Sequence, residues 1–304
     1  MAIVDPDKAT GALVGLAIGD ALGAPIEGVA ADDLDGEQTE LTGGGPHGLR
    51  PGQGTGDTEM ALRLATSLVE VGGYDPDRTL GHYLDWYRTA PAGMSDHMRQ
   101  VLGSVEGGAD AYRATSAVHF DAGANVGNGA VMRATPIGIA FAGREEALRD
   151  ATLADAALTH FDPLPGKVAL LHNQVVSWTL TAGPPLVFKQ LKDPEWLDDR
   201  IEDVVIPATA GVLGYAVALS KSESGSALTA IAIALAAFFN ADDFEKGLIW
   251  AVNLGGDADT NGAVTGALLG ARFGAAAIPE RWLSVLERRS ELEGLGRQLA
   301  AMAG

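Results

Sequence analysis

Three short stretches of the chain gather carboxylates and hydroxyls. Gly255 to Gly270, GGDADTNGAVTGALLG, sets Asp257, Asp259 and Thr260 within four residues and then runs into a glycine-studded apolar helix. Gly19 to Gly28, GDALGAPIEG, supplies Asp20 and Glu27, and Gly52 to Leu62, GQGTGDTEMAL, supplies Thr55, Asp57 and Thr58. Taken singly, each reads as a helix cap, because Asp and Thr accept hydrogen bonds from the free N–H groups of a first turn. Capping is the better reading for Asp57 or Asp259 alone. Taken together, three acidic clusters that converged would repel one another unless a cation lay among them. Oxygen ligands in a chain with no cysteine and six histidines suit Mg²⁺, Mn²⁺ or Ca²⁺ rather than zinc or copper.

The elements that must position these groups are helices. Apolar residues recur at helical spacing, as in Met60, Leu64 and Leu68 or Leu248 and Val252, and alanine is abundant. The pattern predicts helices near 8 to 22, 57 to 72, 78 to 90, 94 to 106, 129 to 142, 145 to 157, 166 to 182, 208 to 221, 225 to 238, 242 to 253, 259 to 274 and 279 to 302. Two of them carry glycine at every fourth place: Gly11, Gly15, Gly19 and Gly23, and Gly262, Gly266, Gly270 and Gly274. A helix-interior glycine costs about 1 kcal/mol relative to alanine. The ladders therefore predict two central helices whose flat faces admit another backbone.

Composition sets the bounds. At 304 residues with no Pro/Ser-rich linker or composition break, residues 1 to 304 are expected to form a single domain. The net charge of -19 argues against nucleic acid or an anionic membrane as partner, because phosphate binding relies on Lys and Arg. Absence of cysteine removes disulfides, Cys-ligated zinc and thiol nucleophiles. MAIVDPDKAT has no basic stretch followed by an apolar core, so the expected location is cytoplasmic. The runs Val204 to Leu219 and Ala227 to Phe239 are too short to span a bilayer and are expected as buried helices.

In order along the chain, GALVGLAIGDALGAPIEG, GTGDTEMALRLATSL, GNGAVMRATPIG, THFDP and VNLGGDADTNGAVTGALLGA resemble the ADP-ribosylglycohydrolase family, from about residue 8 to 275. The resemblance implies a compact orthogonal all-α domain with a central cleft. There one or two Mg²⁺ or Mn²⁺ ions lie beside ADP-ribose, linked through its anomeric carbon to a protein side chain. Carried over, Thr55, Asp57, Asp257, Asp259 and Thr260 would be metal ligands, and Glu27 would lie near the metals and the distal ribose. Gly127, Asn128 and Gly129 would wrap the ribose and pyrophosphate, as glycine backbone N–H groups and a helix N-terminus favour an anion. An ordinary Asn-Gly turn before a helix stays the plain alternative. His160 would meet the nucleotide; a structural loop histidine fits the residue pattern equally well. The tryptophans read as core or surface anchors rather than ligand contacts.

Two departures stand out. The family writes two consecutive acids where this chain has Gly56 and Asp57, and Gly93, Met94 and Ser95 align with an Asp-Ile-Gly stretch whose acid is implicated in catalysis. Asp96 replaces that acid only if the loop is shifted. The expected activity is metal-assisted hydrolysis releasing ADP-ribose from a modified protein side chain or a related small molecule, with Glu27 or Asp57 as the base on water. Two alternatives remain: a relative with a different ribosyl or nucleotide substrate and a reduced metal centre, or a non-catalytic protein that binds ADP-ribose.

Overall fold

Polar side chains start half of the sixteen described α-helices as capping chemistry dictates. Asp5, Thr55, Ser95, Asp162, Ser226 and Asp243 each accept a hydrogen bond from a first-turn backbone N–H. The computed structural model of the chain describes residues 4–91, 93–122, 126–191 and 198–303. Its helices are α1 (Pro6–Gly23), α2 (Gly56–Val71), α3 (Pro76–Arg88), α4 (Asp96–Glu106), α5 (Ala111–Ala122), α6 (Thr135–Ala140), α7 (Glu145–Ala157) and α8 (Pro163–Ala182). They continue with α9 (Pro184–Gln190), α10 (Asp199–Thr209), α11 (Leu213–Ser222), α12 (Ala227–Asn240), α13 (Phe244–Val252), α14 (Ala258–Phe273), α15 (Glu280–Leu283) and α16 (Arg289–Met302). Among the described residues there is no strand, only isolated bridges such as Ala30 with Gly255 and Gly127 with Ser226. The fold is all-α, as the periodicity predicts.

The two glycine ladders face each other. A Cβ added to Gly19 would lie 1.9 Å from the Gly262 carbonyl oxygen, one on Gly266 2.0 Å from that of Gly15, and one on Gly270 1.9 Å from that of Gly11. Residue numbers fall along one helix as they rise along the other, so α1 and α14 run antiparallel with their backbones touching. Both are buried, α1 from Ala9 onward and α14 as far as Ala271. Helices α8, α12, α13, α2 and α16 pack around this pair, and one apolar cluster runs from Val4 to Ala303. Pro6–Ile26 is long and apolar enough to cross a membrane, yet 89% of its apolar window is buried inside the protein. It is the core helix.

Several predicted boundaries move. The helix expected over 208 to 221 starts only at Leu213 as α11, because Gly211 at φ 75° turns the chain after α10, a helix over Asp199–Thr209 that was not expected, and Ile206 and Val212 are exposed. The run Val204 to Leu219 is therefore not a single buried helix. The helix expected over 279 to 302 breaks before Arg288, which has a φ of 59°. Residues 129 to 134 form turns, and only Thr135–Ala140 of the expected 129 to 142 is helical. Helices α5 and α9 were not expected. α5 leaves Tyr112 and Phe120 in solvent, which blurs its apolar stripe, and α9 follows Gly183 with two prolines.

Gly266→Ala should lower the melting temperature by several degrees, because its methyl would meet the Gly15 carbonyl at 2.0 Å and neither backbone can yield. Overpacking of this kind costs about 1 to 3 kcal/mol, and a rigid backbone neighbour lies at the upper end. Gly266→Leu should cost more. Unchanged thermal melts of both variants would refute the contact.

Candidate active site

The antiparallel ladder joins the first and third acidic clusters. Because α1 ends where α14 begins, Gly23 lies against Ala258, and the Glu27 turn meets the Gly255–Gly256 turn. Gly28 N–H donates to the Gly256 carbonyl at 2.7 Å, and Gly256 N–H donates to the Val29 carbonyl at 2.7 Å. Gly255 and Gly256 hold φ values of 68° and 67°, where a side chain would be strained. Asp257 N–H donates to Ser224 Oγ at 2.9 Å. Glu27, Asp257 and Asp259 thereby offer carboxylate oxygens within 4.8 Å of one another, a set able to hold a metal ion.

Asp20 brings in the second cluster. Fully buried, its carboxylate accepts from Thr55 N–H at 2.9 Å, from Thr58 N–H at 3.0 Å and from Thr58 Oγ1 at 2.5 Å, which docks the start of α2 onto α1. Burial pushes the Asp20 carboxyl up to about 6, against these hydrogen bonds. Thr55 caps α2, accepting from Asp57 N–H at 3.3 Å. Asp57 and Asp259, each second in its helix, cap nothing, and Asp257, at the capping position of α14, makes no capping bond.

Buried Asp57 Oδ2 and Asp259 Oδ1 have no hydrogen-bond partner. Burial, then the charge of Asp20, Asp257 and Glu27, raises the Asp57 carboxyl well above its usual range, while Thr260 pulls it down. Burial, then Asp57, Asp257, Asp20 and Glu27, raises Asp259 likewise. A buried carboxylate without a partner is costly. Orphaned oxygens among oxygen-only donors fit a hard divalent cation.

These acids form one side of a cleft of about 440 Å³, within the usual size of a small-ligand site. Gly127, Asn128, Gly129, Met132, His97 and His160 line the other. The loop is pinned from behind: Asn128 N–H donates to the Gly225 carbonyl at 3.2 Å and Ala227 N–H to the Val126 carbonyl at 3.0 Å. Asn128 Nδ2 reaches across to Asp257 Oδ2 at 2.5 Å, coupling loop to acids. Gly123 to Asn125 of the GANVGNGAVMR motif lie outside the described residues. The loop does not enter a helix N-terminus as expected, since α6 begins only at Thr135. Its Gly129 carbonyl is held instead by Arg133, whose Nη1 donates to Gly129 O at 2.7 Å. His160 is buried, and burial together with the Arg133 charge and His97 keeps its imidazole neutral, well below the usual range.

Thr55, Asp57, Asp257, Asp259, Thr260, Glu27, Gly127, Asn128, Gly129 and His160 all line this one cleft. Asp96 does not: it heads α4 with a side chain 94% exposed. Rings stand beside both departures. A Cβ on Gly56 would lie 3.2 Å from Trp86 Cζ2, and one on Gly93, at φ 81°, would lie 3.1 Å from His47 Nε2. Trp86 is buried in the apolar core, as expected for the tryptophans, and one edge of it also reaches the cleft lining. His47 Nε2 is 2.7 Å from Glu27 Oε2. Ser224, Gly225 and His97 also line the cleft and Arg133 braces it, none of them expected from the sequence, although Arg133 lies inside GNGAVMR and His97 directly follows Asp96.

The family model described as ADP-ribosylglycohydrolase matches residues 2–304. The chain is 31% identical over 299 residues to the ADP-ribosyl-dinitrogen reductase glycohydrolase of Rhodospirillum rubrum, covering 97% of this chain and 95% of that protein. It is 30% identical over 303 residues to the ADP-ribosylarginine hydrolase Tri1 of Serratia proteamaculans (strain 568), covering 98% and 80%. A solved structure described as an ADP-ribosylglycohydrolase-related protein complex superposes with a TM-score of 0.82 at 34% identity, over 98% of this chain and 99% of that one. Sequence and fold agree over the full cleft-forming region, and the chain belongs to the ADP-ribosylglycohydrolase family of hydrolases.

Proposed function

We propose that the chain is a divalent-cation-dependent glycosidase that removes ADP-ribose from a modified protein side chain. The observation that carries this reading is the pair of orphaned, buried oxygens on Asp57 and Asp259, set beside Glu27 and Asp257 and opposite a glycine-rich loop. Thr55, Asp57, Asp257, Asp259 and Thr260 would hold one or two Mg²⁺ or Mn²⁺ ions. A cation held there would supply Lewis acidity. Glu27 or Asp57 accepts a proton from the attacking water, and the surrounding carboxylates favour the positive charge that develops at the anomeric carbon. Gly127, Asn128 and Gly129 offer backbone and amide donors to ribose and pyrophosphate, and His160 adds a ring contact. The relatives' names make ADP-ribosyl-arginine the first substrate to try. We also take residues 1 to 304 as one cytoplasmic domain acting without nucleic acid or membrane, in keeping with a net charge of -19.

Rings standing where Gly56 and Gly93 lack side chains favour a second reading, a relative that binds ADP-ribose or turns over a different ribosyl substrate. Retained ADP-ribose binding without hydrolysis of ADP-ribosyl-arginine or ADP-ribosyl-serine would establish it.

Calorimetric titration of chelator-treated protein with Mn²⁺ should show binding, and Asp257→Ala with Asp259→Ala should abolish both binding and hydrolysis. Undiminished Mn²⁺ affinity in the double variant would exclude this cluster as the metal site.

Stability in chelator should depend on pH in a defined direction. Asp57 holds its proton more tightly folded than unfolded, where a carboxyl titrates near 3.9. Its contribution is therefore full below about pH 4 and is lost as pH rises through the raised folded value. Asp57→Asn should melt close to wild type at pH 4 and above it at pH 8, and Mn²⁺ should reverse that order at pH 8. A melting difference that is the same at both pH values would refute the assigned shift.

A further inference from the structure

His97 and His160 stand in the cleft as a tilted ring pair, centroids 4.9 Å apart with 35° between their planes. Thr159, fully buried, holds both. Its carbonyl oxygen accepts from His97 Nε2 at 2.7 Å, so that ring carries its proton on Nε2. Its Oγ1 accepts from Arg133 Nη2 at 2.9 Å. A guanidinium only donates, so the hydroxyl's own proton is left for one of two acceptors. These are the Ala156 carbonyl at 3.5 Å and His160 Nδ1 at 2.8 Å. The shorter contact takes it.

Arg133 is in no position to turn away. Nε donates to Asp155 Oδ2 at 3.0 Å, Nη2 also to the Asp155 carbonyl at 3.0 Å, and Nη1 to the Gly129 carbonyl at 2.7 Å. Tyr83 Oη donates to the other Asp155 oxygen at 2.7 Å, and the arginine has no exposed surface. His160 thus has Nδ1 occupied from behind, while its Cε1 and Nε2 edge faces Gly129 in the ligand loop. A neutral imidazole offers one donor and one acceptor, and an anionic oxygen is repelled by the lone pair. One proton on Thr159 decides which of the two the cleft receives.

We propose that Thr159, ordered by Arg133, is a positioning residue that fixes His160 as the Nε2–H tautomer and makes it a hydrogen-bond donor for an anionic oxygen of the bound ligand. The ligand half of the inference rests on the proposed function; the tautomer half does not. The test is long-range proton–nitrogen spectroscopy of ¹⁵N-labelled, ligand-free protein at pH 7.5, with His160→Gln identifying the signals. Wild type should show a protonated Nε2 and a bare Nδ1. Thr159→Val should lose that pattern and bind ADP-ribose about tenfold more weakly, and Thr159→Ser should restore both. A protonated Nδ1 in wild type overturns the proposal without recourse to any variant, as does an unchanged tautomer in Thr159→Val. A changed tautomer with unchanged affinity overturns the donor role. Wild type that shows the expected tautomer and binds no ADP-ribose leaves the relay standing and removes the ADP-ribosyl reading of the cleft.

Discussion

The contact of two bare helix backbones, α1 on α14, is the constraint on which the site depends. With no side chain between Gly15 and Gly266 or Gly19 and Gly262, the helices approach as closely as peptide groups allow. Each glycine costs helix stability, about 1 kcal/mol against alanine, and dispersion along the seam offsets that cost. The gain is positional. Both ends of a rigid antiparallel pair are fixed together, so the Glu27 turn after α1 has one place to go, against the turn that precedes α14. From there Asp20 reaches back to hold the start of α2. Three distant segments are registered by one seam.

What the seam assembles is unfavourable without a ligand. Asp57 and Asp259 are buried beside other acids with an oxygen each left unpaired, where a stable core would place apolar groups. Elsewhere the same protein satisfies a buried charge fully: Asp155 accepts from Arg133 and Tyr83. The contrast is between an acid whose oxygens are paired within the protein, Asp155, and two, Asp57 and Asp259, that each keep a buried oxygen open toward the cleft. It also explains why Asp20, although acidic and adjacent, is a poor candidate ligand: Thr55 and Thr58 already occupy its oxygens.

The ladders and the acid clusters were legible because their signals are local and periodic: a glycine every fourth place, two acids and a threonine in four residues. The capping reading of Asp57 and Asp259 was locally the better one, and only the fold, in which neither caps its helix, overturns it. Boundaries set by single backbone states were not legible. Gly211 and Arg288 divide expected helices through positive φ, and Arg288 gives no warning, being a residue that rarely adopts it. Ser224, Gly225 and His97 escaped notice because their importance is contact with segments far away in sequence. Arg133 is the intermediate case, visible inside a motif but with partners, Asp155 and Thr159, that only the fold supplies.

Trp86 and His47 show how the chain accommodates its two departures. Glycine in place of an acid leaves a void and one charge fewer, and a packed interior tolerates voids poorly. At Gly56 the void is filled by the edge of Trp86, an apolar wall that lowers the dielectric around Asp57 and sharpens every remaining interaction there. At Gly93 it is filled by the His47 ring, whose Nε2–H donates to Glu27 Oε2, so one Glu27 oxygen is engaged and the other stays open to the cleft. The two replacements act in the same direction. Fewer carboxylates compete for positive charge, and the survivors are more tightly constrained, one by an apolar wall and one by a hydrogen bond. A cleft built in this way orients Glu27 through its hydrogen bond with His47 and sets the Trp86 ring against the backbone beside Asp57, so the acids that remain are positioned by their neighbours before any ligand arrives.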